Sequence, residues 1–200
     1  HLIFFVTARC NARCQMCFYL NQIENANTNL HKELTTDEIR QMFQRLGPTP
    51  FVSLSGGEPF LRKDLPEIAD AIADYCDPLS LSIPSNCSRP ERMEHLYDGI
   101  CERYPDVQFD AHVSLDGVGD VHDGIRKIPG LFDKVLSALK RLKELRQKHK
   151  NLRTRIVATY SAFNARETEE LIEYASSRLY FDRFILTWAH GNTPDEAKYG

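Results

Sequence analysis

The sequence predicts an α/β protein: an open, TIM-like partial barrel of the (β/α)6 type, with a parallel sheet inside and helices outside. Short apolar runs typical of buried strands alternate with segments of helical periodicity along all 200 residues. Such alternation favours a parallel sheet, because right-handed crossovers place every helix on the same side. Six strand-like runs are too few to close an eight-stranded barrel, so we expect a wide, open lumen.

The elements follow in order from local signals. Capping patterns, a polar side chain followed three residues later by Glu, mark the starts of four helices at Thr35, Asp64, Ser88 and Asn164. Residues 18–34 are rich in Asn and are predicted to be a polar connection without regular structure. The segments predicted as strands are residues 2–6, 51–54, 79–83, 107–115, 155–159 and 184–188.

The composition is that of an ordinary globular chain, 42% hydrophobic and 26% charged. A net charge of −3 gives no general affinity for nucleic acid, and no apolar run approaches the roughly 18 residues of a membrane span. We therefore expect one cytoplasmic domain over residues 1–200. Because the chain opens inside a strand, we also expect it to be a piece of a longer protein.

Three cysteines lie directly after the first strand, with the spacing Cys-x3-Cys-x2-Cys: Cys10, Cys14 and Cys17. Thiolates this close repel one another unless a cation holds them, and thiolate favours zinc or iron–sulfur iron. Zinc would need a fourth ligand, for which His31 is a candidate. A four-iron cluster held by three cysteines would instead leave one iron open. A disulfide is disfavoured, because no secretory signal is visible. The remaining cysteines, 76, 87 and 101, are predicted to be buried or free thiols.

Small and polar residues follow the next strands, and in barrels of this kind the carboxyl ends of the strands carry the chemistry. Gly56, Gly57, Glu58 and Pro59 follow the second strand, where adjacent glycines let the backbone approach a ligand closely. The same four residues could be no more than a tight turn. Ser85-Asn86 follows the third strand.

The cysteine spacing, with Gly-Gly-Glu-Pro about forty residues later, resembles the radical S-adenosylmethionine (radical SAM) superfamily. The family motif is Cys-x3-Cys-x-aromatic-Cys, and Met16 stands here in place of the aromatic residue. Val-Ser-Leu-Asp-Gly at residues 113–117 also resembles a superfamily element. Residues 122–132 resemble the loop of members that carry a SPASM or twitch extension.

The resemblance implies two cofactors, a [4Fe-4S] cluster on the three cysteines and S-adenosyl-L-methionine (SAM) on the open iron. It implies that the reduced cluster cleaves SAM to a 5′-deoxyadenosyl radical, which takes hydrogen from a substrate. Gly-Gly-Glu-Pro would hold the SAM amino group, Ser85 and Ser114 would lie near the ribose, and Arg126 would meet the carboxylate. For Arg126, a surface ion pair is the plain alternative.

The substrate implied by the resemblance is a peptide or protein, with a small molecule (a nucleotide, sugar or lipid precursor) as the alternative. A reductant such as flavodoxin or ferredoxin would be the partner. A zinc-binding module without catalysis is the rival from another class. Two histidines, His112 and His122, are candidates for the site, although a lone histidine is more often structural.

The fourth strand alternates between apolar and polar residues. Val107, Phe109, Ala111, Val113 and Leu115 alternate with Gln108, Asp110, His112, Ser114 and Asp116. Since successive side chains point to opposite faces, the apolar set is predicted to face the outer helices and the polar set the lumen. We expect Ser114 nearest the ligand, with Asp110 and His112 in a buried polar network beneath it.

Overall fold

The computed structural model of the protein describes residues 1–28 and 33–190. It contains one sheet of six parallel strands in the order β1-β2-β3-β4-β5-β6, so each strand pairs with its neighbours in the chain. The strands are β1 (Leu2–Thr7), β2 (Phe51–Gly56), β3 (Ser80–Ser85), β4 (Gln108–Ser114), β5 (Leu152–Tyr160) and β6 (Arg183–Trp188). The helices are α1 (Leu20–Thr28), α2 (Thr36–Leu46), α3 (Leu65–Cys76), α4 (Pro90–Arg103), α5 (Asp120–Arg126), α6 (Leu131–Lys148) and α7 (Thr168–Arg178).

This topology confirms the predicted (β/α)6 partial barrel, and every predicted strand is present within a few residues of its expected bounds. Two helices were missed. The segment 18–34, predicted to be irregular, contains α1, which has no strong cap and is anchored by the buried Ile23. The loop after β4 contains α5, a short helix anchored by His122 and Ile125. Tertiary burial overrides weak local propensity in both.

Of the four predicted helix caps, only the first has the expected contacts. The Glu38 amide donates to Oγ1 of Thr35 (3.3 Å), and the Thr35 amide donates to Oε2 of Glu38 (2.8 Å), which is a complete capping box. The prediction was wrong for Asp64, Ser88 and Asn164, whose side chains do not cap α3, α4 and α7. Other partners bind two of these side chains: Asp64 pairs with Arg62 and accepts from Oγ1 of Thr36 (2.6 Å), and Asn164 donates to carbonyls at the ends of β4 and β5.

The prediction for strand β4 is confirmed on its apolar face. Phe109, Ala111 and Val113 are fully buried in the core with residues of α4 and α6. On the polar face Asp110 is buried and accepts hydrogen bonds from Oγ of Ser80 (2.8 Å) and from Nε and Nη2 of Arg155 (3.1 and 3.0 Å). His112 does not join this network, because its buried Nε2 has no hydrogen-bond partner in the described part of the chain.

The polar cavity that Asp110 and His112 line lies at the amino ends of the strands. The lumen therefore has a polar floor and, at the carboxyl ends, a separate cleft. Within residues 1–28 and 33–190, none of the helices combines the length and the apolar character needed to cross a membrane.

Candidate functional site

A cleft at the carboxyl ends of the strands gathers nine of the ten residues that the resemblance assigns to the cluster and SAM. They come from the loops after β1 and β2, from the last residues of β2, β3 and β4, and from α5. The nine are Cys10, Cys14, Cys17, Gly56, Gly57, Glu58, Ser85, Ser114 and Arg126. Pro59 does not line the cleft; it is buried at the start of a 3-10 turn (Pro59–Leu61). Residues up to 116 positions apart in the sequence thus meet in one place.

The loop that carries the three cysteines is folded back on itself. The Cys17 amide donates to the Cys14 carbonyl (3.1 Å), and the Ala12 amide donates to Sγ of Cys10 (3.4 Å). Nη1 of Arg13 donates to the carbonyl of Cys10 (3.1 Å). These local bonds hold the backbone while all three thiols face the cleft.

The two glycines after β2 are required by the chain that leaves β1. The Gly57 amide donates to the Thr7 carbonyl and the Glu58 amide to the Arg9 carbonyl, each at 2.8 Å. A Cβ atom on Gly57 would lie 2.1 Å from the Arg9 carbonyl oxygen, and one on Gly56 would lie 2.0 Å from that of Thr7. The Gly-Gly pair therefore lets the start of the cysteine loop pack directly against the end of β2. This structural role is independent of any ligand that the same backbone binds.

The carboxylate of Glu58 connects the loop after β2 to the loop after β3. Its oxygens accept from Oγ of Ser85 (2.9 Å), the Asn86 amide (2.6 Å) and the Phe60 amide (3.1 Å). Burial raises its pKa to about 7, against the effect of these donors. Nδ2 of Asn86 in turn donates to Oδ1 of Asn11 (3.0 Å), which extends the connection to the cysteine loop.

Helix α5 supports the cysteine loop from the other side. The carbonyls of Ile125 and Arg126 accept from the amides of Gln15 (3.1 Å) and Arg13 (3.2 Å). Met16, which replaces the aromatic residue of the motif, is buried in a small apolar cluster with Ile125 and Ala189. An apolar side chain of adaptable shape fits this position, so the departure from the motif keeps the packing of the loop.

Sequence reasoning overlooked Asp116, the residue on which Arg126 depends. Asp116 is fully buried, and its Oδ2 accepts from Nε of Arg126 at 2.6 Å. Its amide donates to Nδ1 of His122 (3.1 Å), and burial lowers the pKa of that histidine to about 4. His122 is thus a neutral acceptor in a structural contact. The available signal was the position of Asp116, an acid at the end of a polar strand face.

The three thiols fit a multinuclear cluster by their chemistry. Burial raises the pKa of Cys10 to about 12 and also raises those of Cys14 and Cys17, so thiolates here require a nearby cation. Within residues 1–28 and 33–190, no three His, Cys, Asp or Glu side chains are arranged to hold a single metal ion. A four-iron cluster does not require the three side chains to point at one metal ion, since each cysteine binds a different iron. His31, the candidate zinc ligand, lies outside the described residues.

An open parallel barrel with three thiols lining a cleft at the carboxyl ends of its strands defines a class of proteins that carry a metal cluster in the barrel mouth. Comparison with known families identifies the class: the chain belongs to the radical SAM superfamily, whose family model matches residues 4–182. The rival interpretation as a zinc-binding module is not supported by this match.

Two curated relatives resemble nearly the whole chain. The pre-heme d1 synthase of Dinoroseobacter shibae is 25% identical over 189 residues, covering 93% of this chain and 42% of its own length. The AdoMet-dependent heme synthase of Methanosarcina barkeri is 29% identical over 199 residues, covering 96% of this chain and 52% of its own length. The chain therefore spans about half the length of the curated relatives that it matches.

A solved structure of similar fold is that of native anSMEcpe with bound AdoMet and the Cp18Cys peptide. It has a TM-score of 0.71 at 18% identity and covers 98% of this chain and 54% of its own. At this level of identity the match establishes the shared fold.

Proposed function

We propose that the protein is a radical SAM enzyme in which Cys10, Cys14 and Cys17 hold a [4Fe-4S] cluster. The observation that supports this proposal is the meeting of three thiols, the Gly-Gly pair, two serines and one arginine in a single cleft. When bound, the reduced cluster would supply the electron that cleaves SAM to methionine and a 5′-deoxyadenosyl radical able to take hydrogen from a substrate.

The chain's own residues would bind and orient SAM. Arg126 is positively charged and nearly buried, so it suits the methionine carboxylate. Ser114 at the end of β4 and Ser85 at the end of β3 line the same cleft and offer hydroxyl groups to a ribose. Gly56 and Gly57 let the main chain lie against the ligand. A reductant such as flavodoxin or ferredoxin would complete the system.

This proposal is tested by cleavage of SAM. The full-length protein, reconstituted anaerobically and reduced with dithionite, is expected to form 5′-deoxyadenosine slowly even without substrate, measured by chromatography. The Cys14→Ser variant is the control and is expected to form none. Formation of S-adenosylhomocysteine alone would replace the radical mechanism with methyl transfer.

For the substrate, we propose a small molecule with a flat ring system. Aromatic side chains surround the mouth of the cleft: Phe18 stacks on His190 with ring centroids 5.3 Å apart, and Trp188 is 62% exposed beside Tyr160. Such faces favour flat, conjugated ligands. The two curated relatives are named as a pre-heme d1 synthase and an AdoMet-dependent heme synthase, and heme is a flat macrocycle. A peptide substrate, predicted from the resemblance, stays a prediction.

The single tryptophan makes this proposal measurable. Trp188 lines the cleft mouth, so a ligand stacked there changes its fluorescence. An iron porphyrin titrated into the cluster-free protein is expected to quench the emission saturably, whereas an unstructured peptide without aromatic residues is not. Absorbance-matched free tryptophan corrects for inner-filter loss. Saturable binding of the peptide with no response to the porphyrin would favour the peptide instead.

A further inference from the structure

Arg126 is held in the cleft by a buried ion pair. Nε of Arg126 and Oδ2 of Asp116 are 2.6 Å apart, and the two side chains are 12% and 0% exposed. Burial opposes the arginine's charge, but the Asp116 carboxylate, together with the sulfurs of Cys14 and Cys10, more than offsets it, so the pKa of Arg126 is raised above its ordinary value. An ion pair this buried fixes geometry, because either partner alone would be an uncompensated charge.

Asp116 is itself immobilised by four residues, which lie in β5, in α5 and in the loop before α7. Its Oδ1 accepts from the Thr159 amide at the end of β5 (2.8 Å), while Oδ2 accepts from Arg126. Its carbonyl accepts from Nδ2 of Asn164 (2.9 Å), and its amide donates to Nδ1 of His122. Both carboxylate oxygens and both backbone groups are thus bonded, which leaves Asp116 no freedom to turn toward a ligand.

The contact through Nε has a consequence for the rest of the guanidinium. Arg126 lines the cleft, and neither Nη1 nor Nη2 is hydrogen-bonded to any residue of the part of the chain that the structure describes. Guanidinium is a rigid planar fork, so fixing Nε fixes the direction of the two terminal nitrogens. Their donors remain available to an anionic group.

We propose that Asp116 is a positioning residue for SAM: it holds Arg126 by Nε so that the terminal nitrogens present a preformed fork to the ligand's carboxylate. This inference rests on the proposed function, in which Arg126 binds that carboxylate. The backbone of Arg126 also holds the cysteine loop through its bond from the Arg13 amide. The position of the Arg126 guanidinium is therefore fixed relative to the loop that would carry the cluster.

The test is the Asp116→Asn variant. The single side-chain oxygen of the asparagine can still accept from the Thr159 amide. Its NH2 group then faces Nε of Arg126, and because both groups are donors they cannot bond, so the guanidinium is no longer held. We expect the dissociation constant for SAM, measured by anaerobic calorimetry, to rise about tenfold to a hundredfold, the range for a lost charge-assisted contact. Iron content should equal that of the wild type.

A matched control lies at the other end of the same strand. Asp110 is also buried and also pairs with an arginine of β5, Arg155, through both of its oxygens. Asp110→Asn is expected to reduce stability while leaving SAM affinity unchanged. An equal loss of affinity in both variants would show that Asp116 only stabilises the fold and would overturn the proposal.

A double-mutant cycle covers the case in which Asp116→Asn alone does not fold. The double variant Arg126→Gln/Asp116→Asn leaves no unpaired buried charge, whereas Arg126→Gln alone leaves the Asp116 carboxylate without its cation. If Asp116 acts through Arg126, these two proteins bind SAM equally weakly. A further loss in the double variant, or wild-type affinity in Asp116→Asn, refutes the positioning role. Failure of the wild-type protein to bind SAM would instead refute the proposed function itself.

Discussion

Gly57→Ala is the substitution with the clearest expected consequence. The added Cβ would lie 2.1 Å from the oxygen and 2.5 Å from the carbon of the Arg9 carbonyl. Both neighbours are backbone atoms, so no side chain can rotate away. Because Arg9 precedes Cys10, the displacement passes directly to the first cysteine of the loop.

The magnitude follows from the contacts that must move. Restoring an ordinary Cβ contact requires the two backbones to separate by about 1 Å, which breaks the 2.8 Å hydrogen bonds from the amides of Gly57 and Glu58. At about 0.5–1.5 kcal/mol each, their loss lowers the free energy of unfolding by about 1–3 kcal/mol. A cysteine displaced by about 1 Å also no longer reaches a cluster that the other two hold, because metal–ligand distances tolerate only about 0.2 Å.

The assay compares Gly57→Ala with Gly124→Ala in α5. A Cβ at Gly124 meets nothing within 4 Å, so the control makes the same chemical change without a clash. Iron content after anaerobic reconstitution and urea unfolding of the cluster-free proteins are measured for both. Gly57→Ala is expected to lose stability and most of its iron, and Gly124→Ala neither. Normal iron and stability in Gly57→Ala would refute the proposed seating of the cysteine loop on β2.

Three further predictions use the same protein. Ser114→Ala, which removes a hydroxyl from the cleft, is expected to weaken SAM binding about two- to tenfold in a titration, with iron content retained; unchanged affinity would exclude the contact. Asp64→Asn should lower the free energy of unfolding by about 1 kcal/mol at pH 7, a modest value because Asp64 is one-third exposed. Hydrogen bonding from Arg62 lowers the pKa of Asp64 from 3.8 to about 2, so this stabilisation is present above about pH 4 and is lost as the pH falls toward 2. Urea titrations measure the difference in free energy of unfolding between the wild type and Asp64→Asn, and a difference that persists at pH 2 would contradict this assignment. Cys101→Ser, at a buried position of α4, should cost about 1–3 kcal/mol of stability yet leave iron content unchanged, and a loss of iron would place that thiol in the cluster site.

The topology was predictable from the sequence, because each strand is a short apolar run and each main helix repeats apolar residues on one face. The meeting of the three cysteines with Gly56 and Gly57 was predictable for a related reason. Parallel strands place all their carboxyl ends at one edge of the sheet, so residues that follow separate strands must converge there.

What could not be predicted depends on long-range contacts. The capping pattern at Asp64 is indistinguishable in sequence from the one at Thr35, but in the folded chain the Asp64 carboxylate accepts from Oγ1 of Thr36, 28 positions away, as well as from Arg62. Helix α1 exists because Ile23 is buried, which no local signal reveals. The role of Asp116 could not be predicted from its place on a polar strand face and in the Val-Ser-Leu-Asp-Gly element, because its bond from the Thr159 amide joins residues 43 positions apart in the sequence.

The central claim, that the cleft holds a four-iron cluster with one iron open to SAM, is tested most directly by electron paramagnetic resonance. Protein reconstituted to about four irons and four sulfides per chain and reduced with dithionite is expected to give the signal of a reduced cluster. Adding SAM should shift that signal, and the Cys14→Ala protein should show none. Zinc without iron, or a cluster signal that SAM leaves unchanged, would contradict the account.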